Sequence, residues 1–174
     1  EIYGRLPSNI PKVNWEVTKV ENSFIENIPV IKKHLLGKVD NSIYPLLNVE
    51  IKATLVVPQK IKEPVPIMIH LKFDLSLFPN FDVSKLPPDF NKWQIQLFNE
   101  GWGFVELIPT SLQDDNGAGL TKGIIGLCNL GKPRDLDDCG TLRAWAWGAS
   151  KVLDYLESDK NVDSKKIGIE GLSR

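Results

Sequence analysis

The stretch of sequence that decides the fold is VDSKKIGIEGLSR, residues 162–174. Its first nine residues, 162–170, follow a strand pattern, and a Gly-x-Ser step formed by Gly171 and Ser173 comes next. This order is that of a nucleophile elbow, a strained strand-to-helix turn that lifts a serine hydroxyl above a sheet. Ser173 is therefore a candidate nucleophile.

Strand and helix patterns alternate in the sequence before this elbow. Val65–Leu71 and Gly103–Ile108 are short, nearly continuous apolar runs, as expected of strands that are buried on both faces. Residues 91–99 and 141–158 place apolar side chains at helical spacing. Alternation of this kind predicts a mostly parallel sheet with helices on its faces.

The first third of the chain is rich in strand patterns. Apolar residues alternate over residues 13–17, residues 30–39 form a second run, and residues 47–57 alternate cleanly over their whole length. We expect these segments to add antiparallel strands to one edge of the sheet. The fold class is thus α/β, the first part of an α/β-hydrolase three-layer sandwich, with residues 1–174 as one incomplete catalytic domain that ends at the elbow.

Composition excludes several classes of function. The 174 residues carry 21 basic and 22 acidic side chains, so no basic face indicates nucleic acid or an anionic membrane as a partner. No apolar run approaches the roughly 20 residues that span a bilayer. Cys128 and Cys139 are the only cysteines, and either two free thiols or one disulfide is compatible with the sequence.

One long connection, residues 109–140, separates a predicted strand from its helix. Long connections are often functional, and this one leaves the carboxyl end of a predicted parallel strand, where ligands of α/β sheets bind. It contains Gln113, Asp114, Asp115 and Asn116. We predict that it forms part of the active-site rim; the alternative is a structural loop packed against the body.

A serine nucleophile needs a general base and donors for the oxyanion. In hydrolases of this type the acid and the histidine follow the serine, so both are expected beyond residue 174. His70 lies at a strand end and is interpreted as a structural histidine, with pocket lining as the alternative; His34 is interpreted as structural. Arg174 is a candidate oxyanion donor, or a solvated arginine at a helix start.

Other candidate motifs are weaker. GAGL at residues 117–120 lacks the spacing of a phosphate loop, and the pair Asp137 and Asp138 is interpreted as a loop or helix cap. No cofactor and no metal site are predicted. Trp145 lies on the apolar face of the predicted helix and is assigned to the core, whereas Trp147 lies off that face.

Four stretches share the pattern of one known enzyme family: TLRAWAWGAS (141–150), VLDYLE (152–157), VDSKK (162–166) and GLSR (171–174). They resemble the helix and the elbow of glucuronoyl esterases, the fifteenth carbohydrate esterase family. Tyr3-Gly4-Arg5 and NGAGLT (116–121) also resemble bacterial members. The chain looks like the N-terminal half of such an enzyme.

The resemblance implies a metal-free serine esterase that hydrolyses esters of glucuronic acid, including those that link glucuronoxylan to lignin alcohols. It matches Ser173 to the nucleophile and Arg174 to the arginine that stabilises the oxyanion. It also implies a secreted or periplasmic enzyme. The family's elbow continues into a Gly-Lys pair that is not present here, and Cys139 stands where bacterial relatives carry an aromatic residue.

Three alternatives remain open. The first is an acetyl-xylan or other carbohydrate esterase on the same scaffold. The second is a non-catalytic carbohydrate-binding relative, and the third is a half-domain that works only with a second chain.

Overall fold

The computed structural model describes residues 3–73, 82, 85–87 and 89–171, and a six-stranded sheet organises them. The strands are β1 Val13–Ile25, β2 Ile28–Val39, β3 Glu50–Pro58, β4 Val65–Leu71, β5 Gly103–Ile108 and β6 Val162–Gly171. The α-helices are α1 Lys92–Asn99, α2 Gly123–Cys128 and α3 Thr141–Leu156. Short 3-10 helices occupy Pro109–Ser111 and Gly117–Thr121. None of the helices in the described ranges has both the length and the apolar character needed to cross a membrane.

The sheet runs in the order β1-β2-β3-β5-β4-β6. The pairs β1–β2, β2–β3 and β3–β5 are antiparallel, whereas β4 pairs in parallel with both β5 and β6. The predicted division is therefore confirmed: antiparallel strands come from the first third of the chain, and parallel strands from the part that alternates with helices.

Side chains alternate between two cores because successive residues of a strand point to opposite faces of the sheet. On one face, Ile67, Ile69 and Leu107 pack into the large core that includes Trp145 and Val152 of α3. On the other face, Phe104 and Met68 pack with Phe98 of α1. The helices thus cover both faces, as the sequence predicts.

Several element boundaries differ from the predictions. The strand predicted over residues 13–17 continues to Ile25. The strand predicted over residues 47–57 begins at Glu50, because Leu47 lies in a turn in which its N–H bonds the Tyr44 carbonyl at 3.2 Å. The helix predicted over residues 141–158 ends at Leu156. Helix α2 lies inside the connection in which no helix was predicted.

A buried ion pair fastens the end of the α3 crossover to the antiparallel strands. Lys33 Nζ of β2 lies 2.6 Å from Asp159 Oδ2, and the two side chains are only 15% and 5% exposed. The Asp159 carboxylate also accepts hydrogen bonds from the Tyr155 hydroxyl at 3.2 Å and the Asn161 N–H at 3.0 Å. Every oxygen of this buried carboxylate therefore has a donor.

The ionisation of these groups follows from their surroundings. Burial acts to raise the pKa of Asp159, but the hydrogen bonds from Lys33, Asn161 and Tyr155, together with the Lys33 charge, outweigh it and lower the pKa. Burial raises the pKa of Tyr155 to about 12, and the neighbouring Asp159 charge adds to the rise. Asp159 is thus held as a carboxylate and Tyr155 as a neutral phenol.

We expect Asp159→Asn to destabilise the fold by about 3 kcal/mol at neutral pH, because it leaves the buried Lys33 charge without its partner. The pKa of Asp159 is lower in the folded state than in the unfolded state, where it is about 3.9. The ionised carboxylate therefore stabilises the fold at pH values above about 3.9, and this stabilisation is lost as the pH falls through the folded-state pKa. The difference in free energy of unfolding between wild type and Asp159→Asn should therefore shrink on acidification. Urea unfolding at several pH values measures it.

The matched control is Glu16→Gln, which breaks the exposed Lys38–Glu16 pair. This variant should have the wild-type free energy of unfolding at every pH tested, since exposed ion pairs contribute little to stability. A difference for Asp159→Asn that stays constant down to pH 2 would contradict the assignment of the lowered pKa.

Candidate active site

The three parallel strands end level with one another. Leu71 of β4 pairs with Leu107 of β5 on one side and with Gly171 of β6 on the other. The carboxyl ends of these strands therefore form one edge, where α/β folds bind ligands. The predicted site residues Ser173 and Arg174 are separated from Gly171 by Leu172 alone and lie outside the described residues, so their roles stay predictions.

His70 is engaged by its neighbours at this edge. Its Nδ1 is hydrogen-bonded to Glu170 Oε1, opposite it on β6, and its ring packs against Trp93 with centroids 4.6 Å apart. The neighbouring Lys72 pairs with Glu106 at 2.7 Å. His70 also lines the groove between α1 and the strand ends, so it is both a partnered strand-end residue and a groove residue.

His34 lies on the antiparallel strands, far along the sheet from β6. Its Nε2 lies 2.9 Å from Glu21 Oε1 of β1, and its Nδ1 lies 3.5 Å from Thr54 Oγ1 of β3. Hydrogen bonds from Lys19 and His34 lower the pKa of Glu21 to about 2. His34 thus takes part in a cross-strand polar cluster, in agreement with its interpretation as structural.

The long connection after β5 is folded onto the body. Gln113 is 1% exposed; its Nε2 donates to the Gly119 carbonyl at 3.0 Å, and its Oε1 accepts from the Ile125 N–H at 3.1 Å. Its backbone carbonyl accepts from Trp145 Nε1 at 2.9 Å. One buried residue therefore joins the second 3-10 helix and α2 through its side-chain amide, and α3 through its backbone carbonyl. This part of the connection is therefore a structural loop packed against the body, which is the alternative interpretation given above. That the connection also forms part of the active-site rim stays a prediction.

Both tryptophans of α3 are buried. Trp145 belongs to the core as predicted, but Trp147 is only 4% exposed, although the helical pattern placed it off the apolar face. The reason is that the long connection covers a second side of α3: Trp147 lines a small cavity of about 20 Å³ together with Ile124, Cys128 and Cys139. A single-helix pattern does not reveal a second covering layer.

Cys128 and Cys139 are free thiols. Burial raises the pKa of each to about 11, so both are protonated near neutral pH and neither is an activated nucleophile.

The Asp138 side chain bonds to residues of its own loop. Its carboxylate accepts hydrogen bonds from the Asp135 N–H at 2.7 Å and from the Asn129 amide at 3.3 Å. This agrees with its interpretation as a loop cap.

The N-terminal segment is fastened to the residues that precede α3. The Arg5 N–H donates to the Asp137 carbonyl at 2.8 Å, and the Gly140 N–H donates to the Tyr3 carbonyl at 3.1 Å. Gly4 has φ +76°, and a Cβ there would fall 2.0 Å from the Asp138 carbonyl oxygen. Only glycine allows this close approach. The motif Tyr3-Gly4-Arg5 is therefore a backbone clasp.

Comparisons with known proteins agree with this architecture. The family model described as glucuronyl esterase, fungi, matches residues 134–174. A CE15 glucuronoyl esterase from Teredinibacter turnerae T7901 is 36% identical, with a TM-score of 0.86, over 99% of this chain and 42% of that one. The glucuronoyl esterase from Solibacter usitatus is 26% identical, with a TM-score of 0.75, over 99% of this chain and 48% of that one.

A shorter match comes from a curated protein. Carbohydrate esterase MZ0003, from an unknown prokaryotic organism, is 49% identical over 35 residues, which are 20% of this chain and 8% of that protein. The sheet order, the helices on both faces and the solved relatives define an α/β-hydrolase fold, as predicted. Within that class the chain is similar to CE15 glucuronoyl esterases over almost its whole length. It spans less than half the length of these two solved relatives.

Sequence reasoning missed the features that depend on contacts between distant residues. The buried role of Gln113 gave no sequence signal beyond its place among polar residues of the long connection. The clasp of residues 3–5 did leave one signal, a glycine between two large residues close to the start, but its partner lies more than a hundred residues away in sequence.

We expect Gln113→Leu to destabilise the protein by roughly 2 kcal/mol, because it leaves the buried Ile125 N–H without its partner. It also removes one of the two donors of the Gly119 carbonyl, which keeps its bond from the Lys122 N–H. Hydrogen exchange at residues 117–128 should accelerate more than exchange in β3. The control is Gln96→Leu, an exposed position of α1, which should leave both quantities unchanged. Uniform acceleration across the sheet would mean that Gln113 does not act on the connection specifically.

Proposed function

We propose that this chain is part of a serine esterase that hydrolyses esters of glucuronic acid, with Ser173 as the nucleophile. One observation carries the proposal. Strand β6 is hydrogen-bonded in parallel beside β4 and ends level with β4 and β5 at Gly171, and Leu172-Ser173-Arg174 comes next in sequence. In an α/β-hydrolase this is the position of the nucleophile elbow. The similarity to glucuronoyl esterases supports the same residue.

The proposed reaction is acyl transfer. Ser173 Oγ attacks the ester carbonyl while its proton passes to a histidine, and the tetrahedral intermediate then collapses with loss of the alcohol, which takes up that proton. Water, deprotonated by the same histidine, attacks the acyl-enzyme, and the C–Oγ bond breaks to release glucuronate and return the proton to the serine. No cofactor and no metal take part in this scheme.

The proposed histidine and its acid follow Arg174 in sequence, as in the chain order of α/β-hydrolases. The place of His34 supports this, because it is bonded to Glu21 on the antiparallel strands, away from the carboxyl end of β6. His70 lies at the strand-end edge and packs against Trp93, and its Nδ1 is bonded to the Glu170 carboxylate. A carboxylate in this position also orients a base, so His70 is the alternative base that the substitution His70→Gln tests.

Arg174 is proposed to stabilise the oxyanion with its guanidinium, together with its own backbone N–H. A cationic donor near the carbonyl is worth more when negative charge develops than in the ground state. Residues 1–174 would then form part of one catalytic domain of a secreted or periplasmic enzyme. Its proposed substrate is a glucuronoxylan or lignin–carbohydrate ester.

The first prediction for this function concerns Ser173→Ala. In the protein that contains this chain, the substitution should abolish release of alcohol from benzyl or methyl glucuronate, because no nucleophile remains to form the acyl-enzyme. His70→Gln serves as the comparison and should retain hydrolysis. Loss of activity in His70→Gln equal to that in Ser173→Ala would point to His70 as the base.

Acetylated xylan is assayed beside the glucuronate esters. Release of acetate without hydrolysis of glucuronate esters would mean an acetyl-xylan esterase on this scaffold. No hydrolysis of either substrate, with retained saccharide binding, would favour a non-catalytic relative.

The second prediction concerns Arg174→Ala. Removal of a single oxyanion donor typically costs about 10²–10³ in rate, so kcat should fall by about this factor while KM changes little. Arg174→Lys should recover part of the lost rate because it keeps a cationic donor. A rise in KM with unchanged kcat would instead assign Arg174 to ground-state binding.

A further inference from the structure

A cleft of about 390 Å³ opens where the N-terminal segment meets the start of α3. Tyr3, Arg134, Leu142 and Arg143 line it, and we call it the arginine cleft. Helix α3 leads back from the connection that leaves the carboxyl end of β5, so its first residues lie on the side of the sheet where β4, β5 and β6 end. The arginine cleft is therefore on the same side of the molecule as the carboxyl end of β6, which the proposed nucleophile follows in sequence.

The two guanidinium groups give the cleft its chemistry. Arg134 Nη1 donates to the Asp138 carbonyl at 2.6 Å, which fixes this side chain without neutralising it. Arg143 is exposed, and within the part of the chain that the structure describes neither arginine has an ion pair. Asp115 also lines the cleft and makes an interaction of its own, yet one carboxylate against two guanidinium groups leaves the charge positive. The cleft therefore favours an anion.

The remaining lining is apolar. Tyr3 is 59% exposed and Leu142 is 41% exposed. The Gly4 clasp holds the backbone of Tyr3 there, through the bond from the Gly140 N–H to the Tyr3 carbonyl. Guanidinium groups recognise carboxylates through paired hydrogen bonds, and an exposed ring with an aliphatic neighbour suits the C–H face of a sugar. This combination fits an acidic saccharide better than an inorganic anion.

We propose that the arginine cleft binds a free uronate carboxylate of the polysaccharide, separate from the ester that reacts. This inference rests on the proposed function, which supplies the saccharide. The carboxyl group that reacts is esterified and therefore neutral, so it has no charge for two arginines to recognise. A carboxylate in the cleft would therefore belong to a second, unesterified uronic acid of the same polysaccharide.

The direct test is binding. A xylo-oligosaccharide with one unesterified glucuronic acid branch is compared with the same oligosaccharide without the branch, by calorimetry on the full-length protein that contains this chain. Wild type should bind the acidic ligand about tenfold more tightly, the scale of one charge-assisted contact, and the preference should shrink as salt rises. Arg143→Glu should remove it, and Arg143→Gln should reduce it.

Lys60→Ala is the matched control, because Lys60 is an exposed cation outside the cleft. It removes one positive charge and should leave the preference intact. Equal loss in Lys60→Ala and Arg143→Gln would mean a general charge effect and would overturn the proposal. So would equal affinity of wild type for the acidic and the neutral oligosaccharide. Near-ultraviolet circular dichroism checks that each variant is folded; if Arg143→Glu is not, the exposed substitution Arg143→Gln decides.

A second arm separates this proposal from the proposed function. The kcat/KM for an oligosaccharide ester that carries an additional free uronate is divided by that for benzyl glucuronate, and this ratio should fall in Arg143→Glu. If wild type hydrolyses no glucuronate ester, the proposed function fails while the binding result still decides on the cleft. If hydrolysis occurs but the ratio and the binding preference are both unchanged in Arg143→Glu, the cleft proposal alone fails.

Discussion

Strand β4 is the constraint on which the rest of the structure depends. It is hydrogen-bonded along both edges, to β5 and to β6, and both partners run parallel to it. A parallel partner cannot be joined by a tight turn, so each neighbour must return through a crossover. The crossovers place α1 on one face and α3 on the other, and they bring three strand ends to a single edge.

The burial of β4 follows from the same arrangement. With a helix packed on each face, its side chains are buried or half-buried and none is exposed, which explains why the run Val65–Leu71 is almost continuously apolar. His70 is the polar exception, and it lies next to the carboxyl end, where Glu170 and Trp93 engage it. The polar side chain of this strand thus lies near its carboxyl end, where the helices no longer cover the sheet. A ligand can reach the protein at the same place.

The parts of the fold that could be predicted are those in which neighbours in sequence share an environment. Apolar patterns located the six strands of the described sheet, α1 and α3. Nearly continuous apolar runs marked β4 and β5, and the spacing of apolar residues marked both helices. Helix α2 was missed, since six residues with two glycines give too short a pattern. The Lys33–Asp159 pair and the Gly4 clasp join residues more than a hundred positions apart, so no local pattern encodes them. For the site, the sequence predicted Ser173 and Arg174, but it gave no indication that Arg134 and Arg143 share a cleft.

Charge decides how an acidic polymer would be recognised by this chain. Its formal net charge is −1, so its overall field does not attract a polyanion. At physiological ionic strength, exposed charges more than about 8 Å apart are largely screened from each other. Recognition must therefore come from contacts made within a few ångströms, where the fixed orientation of Arg134 and the reach of Arg143 matter more than the total charge. A clasp that fixes Tyr3 beside these two arginines gives the chain a local means of selecting acidic sugars that its composition alone does not indicate.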